Sequence, residues 1–67
     1  MVKKYKVGEL IMVDESKIMP DGDNRIVKAH GTLWLVRESG PVGVVTYSLA
    51  TGFRHYWFYE ELCDAPT

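Results

Sequence analysis

No ten-residue stretch of this chain carries helical periodicity free of Gly or Pro, whereas short apolar runs bounded by turn residues recur along its length. That punctuation constrains the fold more than any motif does. Residues 7–13 read as a first strand, with Val7, Ile11 and Val13 on one parity and Leu10 and Met12 on the other. Residues 14–24 are polar, and Met19-Pro20-Asp21-Gly22-Asp23-Asn24 holds the strongest turn chemistry in the chain. Residues 25–29 read as a short strand stopped by His30-Gly31. Residues 32–37 form a strand closed by Glu38-Ser39-Gly40-Pro41, and the β-branched run 42–49 forms the next. Ala50-Thr51-Gly52 is a hairpin loop with Gly52 at positive φ, and 53–59 is the last long strand. Glu60-Glu61-Leu62 makes one helical turn before a frayed tail. The expectation is an all-β chain.

Sixty-seven residues make a single domain, 1–67, with 1–4 and 64–67 frayed. At that length burial barely offsets chain entropy, so most apolar side chains must pack and little interior is left for an enclosed site. Cofactor-binding metabolic folds, a repeat array and a membrane span are excluded on size. Nine acidic residues against eight basic ones leave a net charge of −1, so no global basic field draws in nucleic acid. The single cysteine, Cys63, cannot form an internal disulfide, which points to a reducing compartment. Lys3, Lys4 and Lys6 flank only the short apolar run Leu10-Ile11-Met12-Val13, too brief for a signal peptide. The expected location is the cytoplasm.

Four or five short antiparallel strands, a long irregular loop after the first and one helical turn near the C-terminus match the plan of a small SH3-like barrel. Gly8-Glu9-Leu10-Ile11-Met12-Val13 resembles the Gly-acidic-x-hydrophobic-x-Val opening of many such barrels, KOW-like and Tudor-like ones among them. Gly43-Val44-Val45 and Trp57-Phe58-Tyr59-Glu60-Glu61-Leu62 resemble their closing half, and are similar to small SH3-like proteins common in bacteriophage genomes. The resemblance implies a small protein that binds, and inhibits or redirects, a host enzyme. The Ala-Leu-Tyr-Asp-Tyr opening and Ser-Asn-Tyr ending of peptide-binding SH3 domains are absent, so polyproline recognition is not expected.

Chemistry-bearing constellations are few. His30, His55 and Cys63 lack the spacing of a zinc site, and Asp21-Gly22-Asp23-Asn24 lacks the alternating carboxylates and terminal Glu of a calcium loop. Cys63 lies beside Glu60, Glu61 and Asp64, whose charges oppose a thiolate. Neither a nucleophile elbow nor a phosphate-cradling glycine loop is present. No catalytic residue, metal or cofactor is expected.

The aromatic residues are another matter. Five of the chain's eight fall in Phe53-Arg54-His55-Tyr56-Trp57-Phe58-Tyr59. Alternation puts Phe53, His55, Trp57 and Tyr59 on one face and Arg54, Tyr56 and Phe58 on the other. Two readings stand. Tyr56 and Phe58 fill the core while Trp57 is half covered, or an aromatic strip is exposed with Arg54 and His55 nearby, the composition of a protein-interface hot spot. Arg54, His55, Tyr56, Trp57 and Trp34 are the candidate binding residues. Nucleic acid is the alternative partner, through base stacking on the aromatics and phosphate contacts from Arg25, Lys28, Arg37 and Arg54, with Lys3, Lys4 and Lys6 at the N-terminus. A further option is a cage of Trp34, Tyr47 and Tyr56 around a methylated cation. The expected function is a non-enzymatic module that binds another protein, with a nucleic-acid-associated KOW-like or Tudor-like module second.

Overall fold

The computed structural model describes residues 2–19 and 22–66. Strands form where β-branched and aromatic residues run between turn residues: β1 (Leu10–Val13), β2 (Leu33–Ser39), β3 (Gly43–Ser48), β4 (Arg54–Phe58) and β5 (Leu62–Asp64). They make one antiparallel sheet in the order β4-β3-β2-β1-β5. Single 3-10 turns at Glu15–Lys17 and Tyr59–Glu61 follow β1 and β4. A turn at Val7-Gly8 precedes β1, with Gly8 at φ +92 and the Glu9 N–H donating to the Lys6 carbonyl at 3.1 Å, so β1 begins at Leu10 and Val7 is exposed.

The chain is not all-β. Gly22–His30 is a nine-residue helix, α1, where a polar loop and a short strand at 25–29 are expected from the sequence. Its apolar contribution is brief: Ile26, Val27 and His30 share one face, and Val27 alone is fully buried. Asp23 sits in the first turn, Lys28 and His30 in the last, each favoured by the helix dipole. Gly31 ends the helix at φ +85, its N–H donating to the Val27 carbonyl at 2.7 Å. The turn expected over 19–24 falls partly on Pro20 and Asp21, which lie outside the described residues.

Nor is the sheet an SH3-like barrel, KOW-like or Tudor-like. It is an open sheet whose edges, β4 and β5, do not pair with each other. A barrel satisfies every edge by closure. Here the Phe58 N–H at the β4 edge donates instead to Glu61 Oε1 at 2.9 Å, and three-residue β5 pairs with β1 alone.

One face of the sheet packs the core. Ile11 and Val13, Trp34 and Val36, Val44 and Thr46, and Trp57 all point inward. The register aligns them in cross-strand rows, Ile11 with Trp34, Val36 with Thr46, and Val44 with Trp57. Trp34 and Trp57 are both 0% exposed and meet edge-to-face at 5.4 Å. A bulge at Arg37, between the pairs Val36–Thr46 and Glu38–Val45, shifts the parity of β2 and brings Ser39, itself exposed, onto the same side as Val44, where its hydroxyl donates to the Tyr5 carbonyl at 2.9 Å. Tyr5, Tyr59 and Leu62 complete the core from the two ends of the chain. The Ser48 hydroxyl donates to the His30 carbonyl and accepts from the Ala50 and Thr51 amides, tying the end of α1 to the β3–β4 hairpin.

Burial therefore separates neighbours on β4. Trp57→Ala should cost about 3–5 kcal/mol and leave little folded protein, as large aromatic deletions from a core do. Tyr56→Ala, on the opposite face, should cost under about 1 kcal/mol. Urea titrations of the two variants measure both.

Candidate functional site

The residues singled out from the sequence divide between the two faces of the sheet. Trp34 and Trp57 are in the core, and His55 is half-buried beside them, its ring 4.4 Å from that of Trp57. Arg54 and Tyr56 face outward. Trp34 thus stands on the opposite face from Tyr47 and Tyr56, and the three rings form no cage. The outer face instead gathers Tyr47, Tyr56 and Phe58, exposed by 38%, 42% and 48%.

Register explains how they meet. On the outer face Leu10, Leu35, Tyr47 and Arg54 lie in one row across β1, β2, β3 and β4. Val45 faces Tyr56 in the next row, and Gly43 faces Phe58 in the one after. Tyr56 and Phe58 contact edge-to-face at 5.6 Å. Gly43 is required beneath them: a Cβ there would lie 2.8 Å from Tyr56 Cε2 and clash with the Trp57 carbonyl. Arg37, the bulge residue, lays its guanidinium 5.5 Å from the centre of the Tyr47 ring. Arg54 reaches Glu38 at 3.9 Å, an exposed pair of small energetic weight. The face is an aromatic surface with two arginines set into it.

Phe58 also forms a wall of two clefts. One, of about 210 Å³, includes Val2, Pro41 and Val42; the other, of about 550 Å³, includes Met19, Lys17, Asp23, Glu60 and Glu61. In the second, carboxylates from different elements converge. Burial, then the adjoining Asp23 and Glu60, push the Glu61 carboxyl up to about 7, against the pull of the Phe58 N–H that it accepts. Asp23 Oδ1 lies 4.0 Å from His55 Nε2. Burial lowers the His55 pKa, and Asp23 opposes that shift. Cys63, on β5 opposite Met12, has its thiol pushed up by burial and by Asp14. Among the described residues no group of three His, Cys, Asp or Glu side chains is placed to hold a metal ion.

Asp23 and Glu61 are absent from the residues chosen by sequence. Glu61 carries one local signal, a carboxylate three positions after Phe58 and so able to fold back on its N–H. Asp23 carries none, because its nearness to His55 and Glu61 depends on where α1 packs.

Compared with protein-family models, with curated proteins and with solved structures, the chain matches none. Among the described residues no helix is long and apolar enough to cross a membrane.

The acidic corner has a pH signature. A carboxyl whose folded pKa lies above its ordinary 4.5 holds its proton more firmly in the folded chain. Its contribution to stability is therefore complete below about 4.5 and lost as pH rises through about 7. The depressed His55 works in the opposite direction, its contribution present above 6.5 and lost as pH falls. Glu61→Gln keeps an acceptor for the Phe58 N–H and offers an amide donor toward Asp23, so it mimics the protonated acid. Its thermal midpoint should match the parent's at about pH 4, exceed it increasingly as pH rises from there to about 7, and keep a nearly constant lead above that. His55 is common to both chains and drops out of the difference.

Proposed function

We propose that this protein is a non-enzymatic module that binds another protein through the outer face of β2, β3 and β4. The observation that carries the reading is the joint exposure of Tyr47, Tyr56 and Phe58 beside Arg37 and Arg54. Aromatic rings and arginines dominate binding energy at protein interfaces, because each removes a large apolar area from water at a small cost in rotamer freedom. Leu35 and Val45, half-buried between them, extend the apolar floor. The host-enzyme target implied by the barrel resemblance is not part of the proposal.

A nucleic-acid partner fits this surface less well. Glu38 sits with Arg54, and Asp23, Glu60 and Glu61 border Phe58, so a phosphate backbone tracking the aromatics would run into carboxylates. Catalysis fits less well again. The His55–Asp23 pair is turned toward Glu61 and the core rings, and the Cys63 thiol, away on β5, is held protonated. We also propose a cytoplasmic location, which the lone thiol supports because an unpaired cysteine suits a reducing compartment.

Affinity capture from a cell lysate supplies the partner, and titration against outer-face variants tests the site. Tyr47→Ala and Arg54→Ala should each weaken that complex by about 30-fold, equivalent to about 2 kcal/mol, with the thermal midpoint nearly unchanged. Parent-like affinity in both variants overturns the assignment. Retention on heparin at high salt would replace a protein partner with nucleic acid.

A further inference from the structure

The edge of β4 is a separate feature from its face. Ser48 N–H donates to the Phe53 carbonyl and Tyr59 N–H to the Val42 carbonyl, so Phe53, His55, Trp57 and Tyr59 turn their backbone groups toward β3. Antiparallel pairing alternates, so Arg54, Tyr56 and Phe58 turn theirs away from the sheet. The Phe58 N–H is taken by Glu61. The N–H and C=O groups of Arg54 and Tyr56 have no partner among the described residues. An edge of this kind is a template for another strand.

We propose that the protein forms a two-fold symmetric dimer in which β4 pairs antiparallel with β4 of a second copy, centred on Tyr56. In that register Tyr56 exchanges N–H and C=O with its symmetry mate, and Arg54 N–H donates to the Phe58 carbonyl of the other copy. The side chains match as well as the backbones. Arg54 of the second copy comes opposite Phe58, where its guanidinium can lie over the ring. The same guanidinium arrives beside Asp23, Glu60 and Glu61, which border Phe58 with Lys17 the one cation among the described residues of their cleft. Three carboxylates from two elements share that cleft, and the Glu61 pKa among them is raised first by burial and then by Asp23 and Glu60, so an incoming arginine meets negative charge with little cation beside it. Among the described residues the one charged partner of Arg54 is Glu38, exposed and 3.9 Å away. Each copy therefore offers an arginine and an acidic corner at the two ends of one strand, the self-complementarity that a two-fold interface needs.

The pairing also ends itself. Glu61 holds the next outward N–H, and the far edge of the sheet is only the three residues of β5, so the contact closes as a dimer rather than extending into a fibre. Joining the edges would set Tyr47, Tyr56 and Phe58 of both copies on one continuous outer face. The dimer shares Arg54, Tyr56 and Phe58 with the proposed partner-binding face but not Tyr47 on β3, so Tyr47→Ala separates the two readings: it should weaken the partner complex and leave the dimer intact.

Sedimentation equilibrium from micromolar to millimolar concentration should show a shift from the 7.6 kDa protomer to twice that mass. The shift should weaken with added salt. Amide exchange at Tyr56 should slow as the dimer fills. Arg54→Glu should weaken dimerisation at least tenfold, and adding Glu60→Arg to it should restore the dimer by exchanging the charges. A protomer mass at every concentration overturns the proposal. So does a dimer in which Tyr56 amide exchange is independent of concentration, or in which Arg54→Glu associates like the parent.

Discussion

The packing of Trp57 against Trp34 sets what every other residue of β4 can do. Both indoles are fully buried and meet edge-to-face, so β4 presents His55 and Trp57 to the interior. A strand has only two faces, and a shift of one residue would exchange them. Burying the second tryptophan therefore turns Arg54, Tyr56 and Phe58 outward. The same alternation decides the backbone, where the inward-facing residues bond to β3 and the outward-facing ones face the edge. One apolar contact thus produces both an aromatic surface and a row of unpaired peptide groups.

Around that core, polar links fasten pieces that have few apolar residues of their own. Ser48 joins the last turn of α1 to the β3–β4 hairpin, and His30 stacks on Phe53 at 4.1 Å with the rings nearly parallel. At the other end the buried Tyr5 hydroxyl donates to Asp64, which also takes Lys3. The Trp57 indole N–H is the exception, buried without a hydrogen-bond partner among the described residues. A buried donor left unpaired carries a real penalty. The protein tolerates it in exchange for the volume of the ring.

The acidic corner shows how a small domain can strain its electrostatics without strained backbone. Asp23 comes from the helix, Glu61 from the turn after β4, and His55 from β4 itself. Glu61 caps the Phe58 N–H and so blunts one end of the strand edge, yet it is brought against Asp23 and Glu60 in doing so. Burial first, and then those two neighbours, push its carboxyl up to about 7. The device that protects the edge at Phe58 is also what makes that end receptive to a cation.

Strands within 32–37, 42–49 and 53–59 were legible in the sequence, because β-branched and aromatic runs between Gly and Pro allow little else in a chain this short; that β2 runs on through Glu38 and Ser39, read as turn residues, was not. The Gly52 turn, at φ +78, was legible for the same reason. Helix α1 was not: nine residues with one fully buried side chain give too little periodicity, and its clearest marker, Gly31 after His30, also reads as a strand end. Residues 53–59 showed alternation but not its direction, since both sets of side chains are aromatic. Local pattern sets which residues share a face. Which face is buried depends on Trp34, Val36, Val44 and Thr46, brought opposite only when β2, β3 and β4 pair, and that is why tertiary structure alone decided that Trp57 is core and Arg54, Tyr56 and Phe58 are surface.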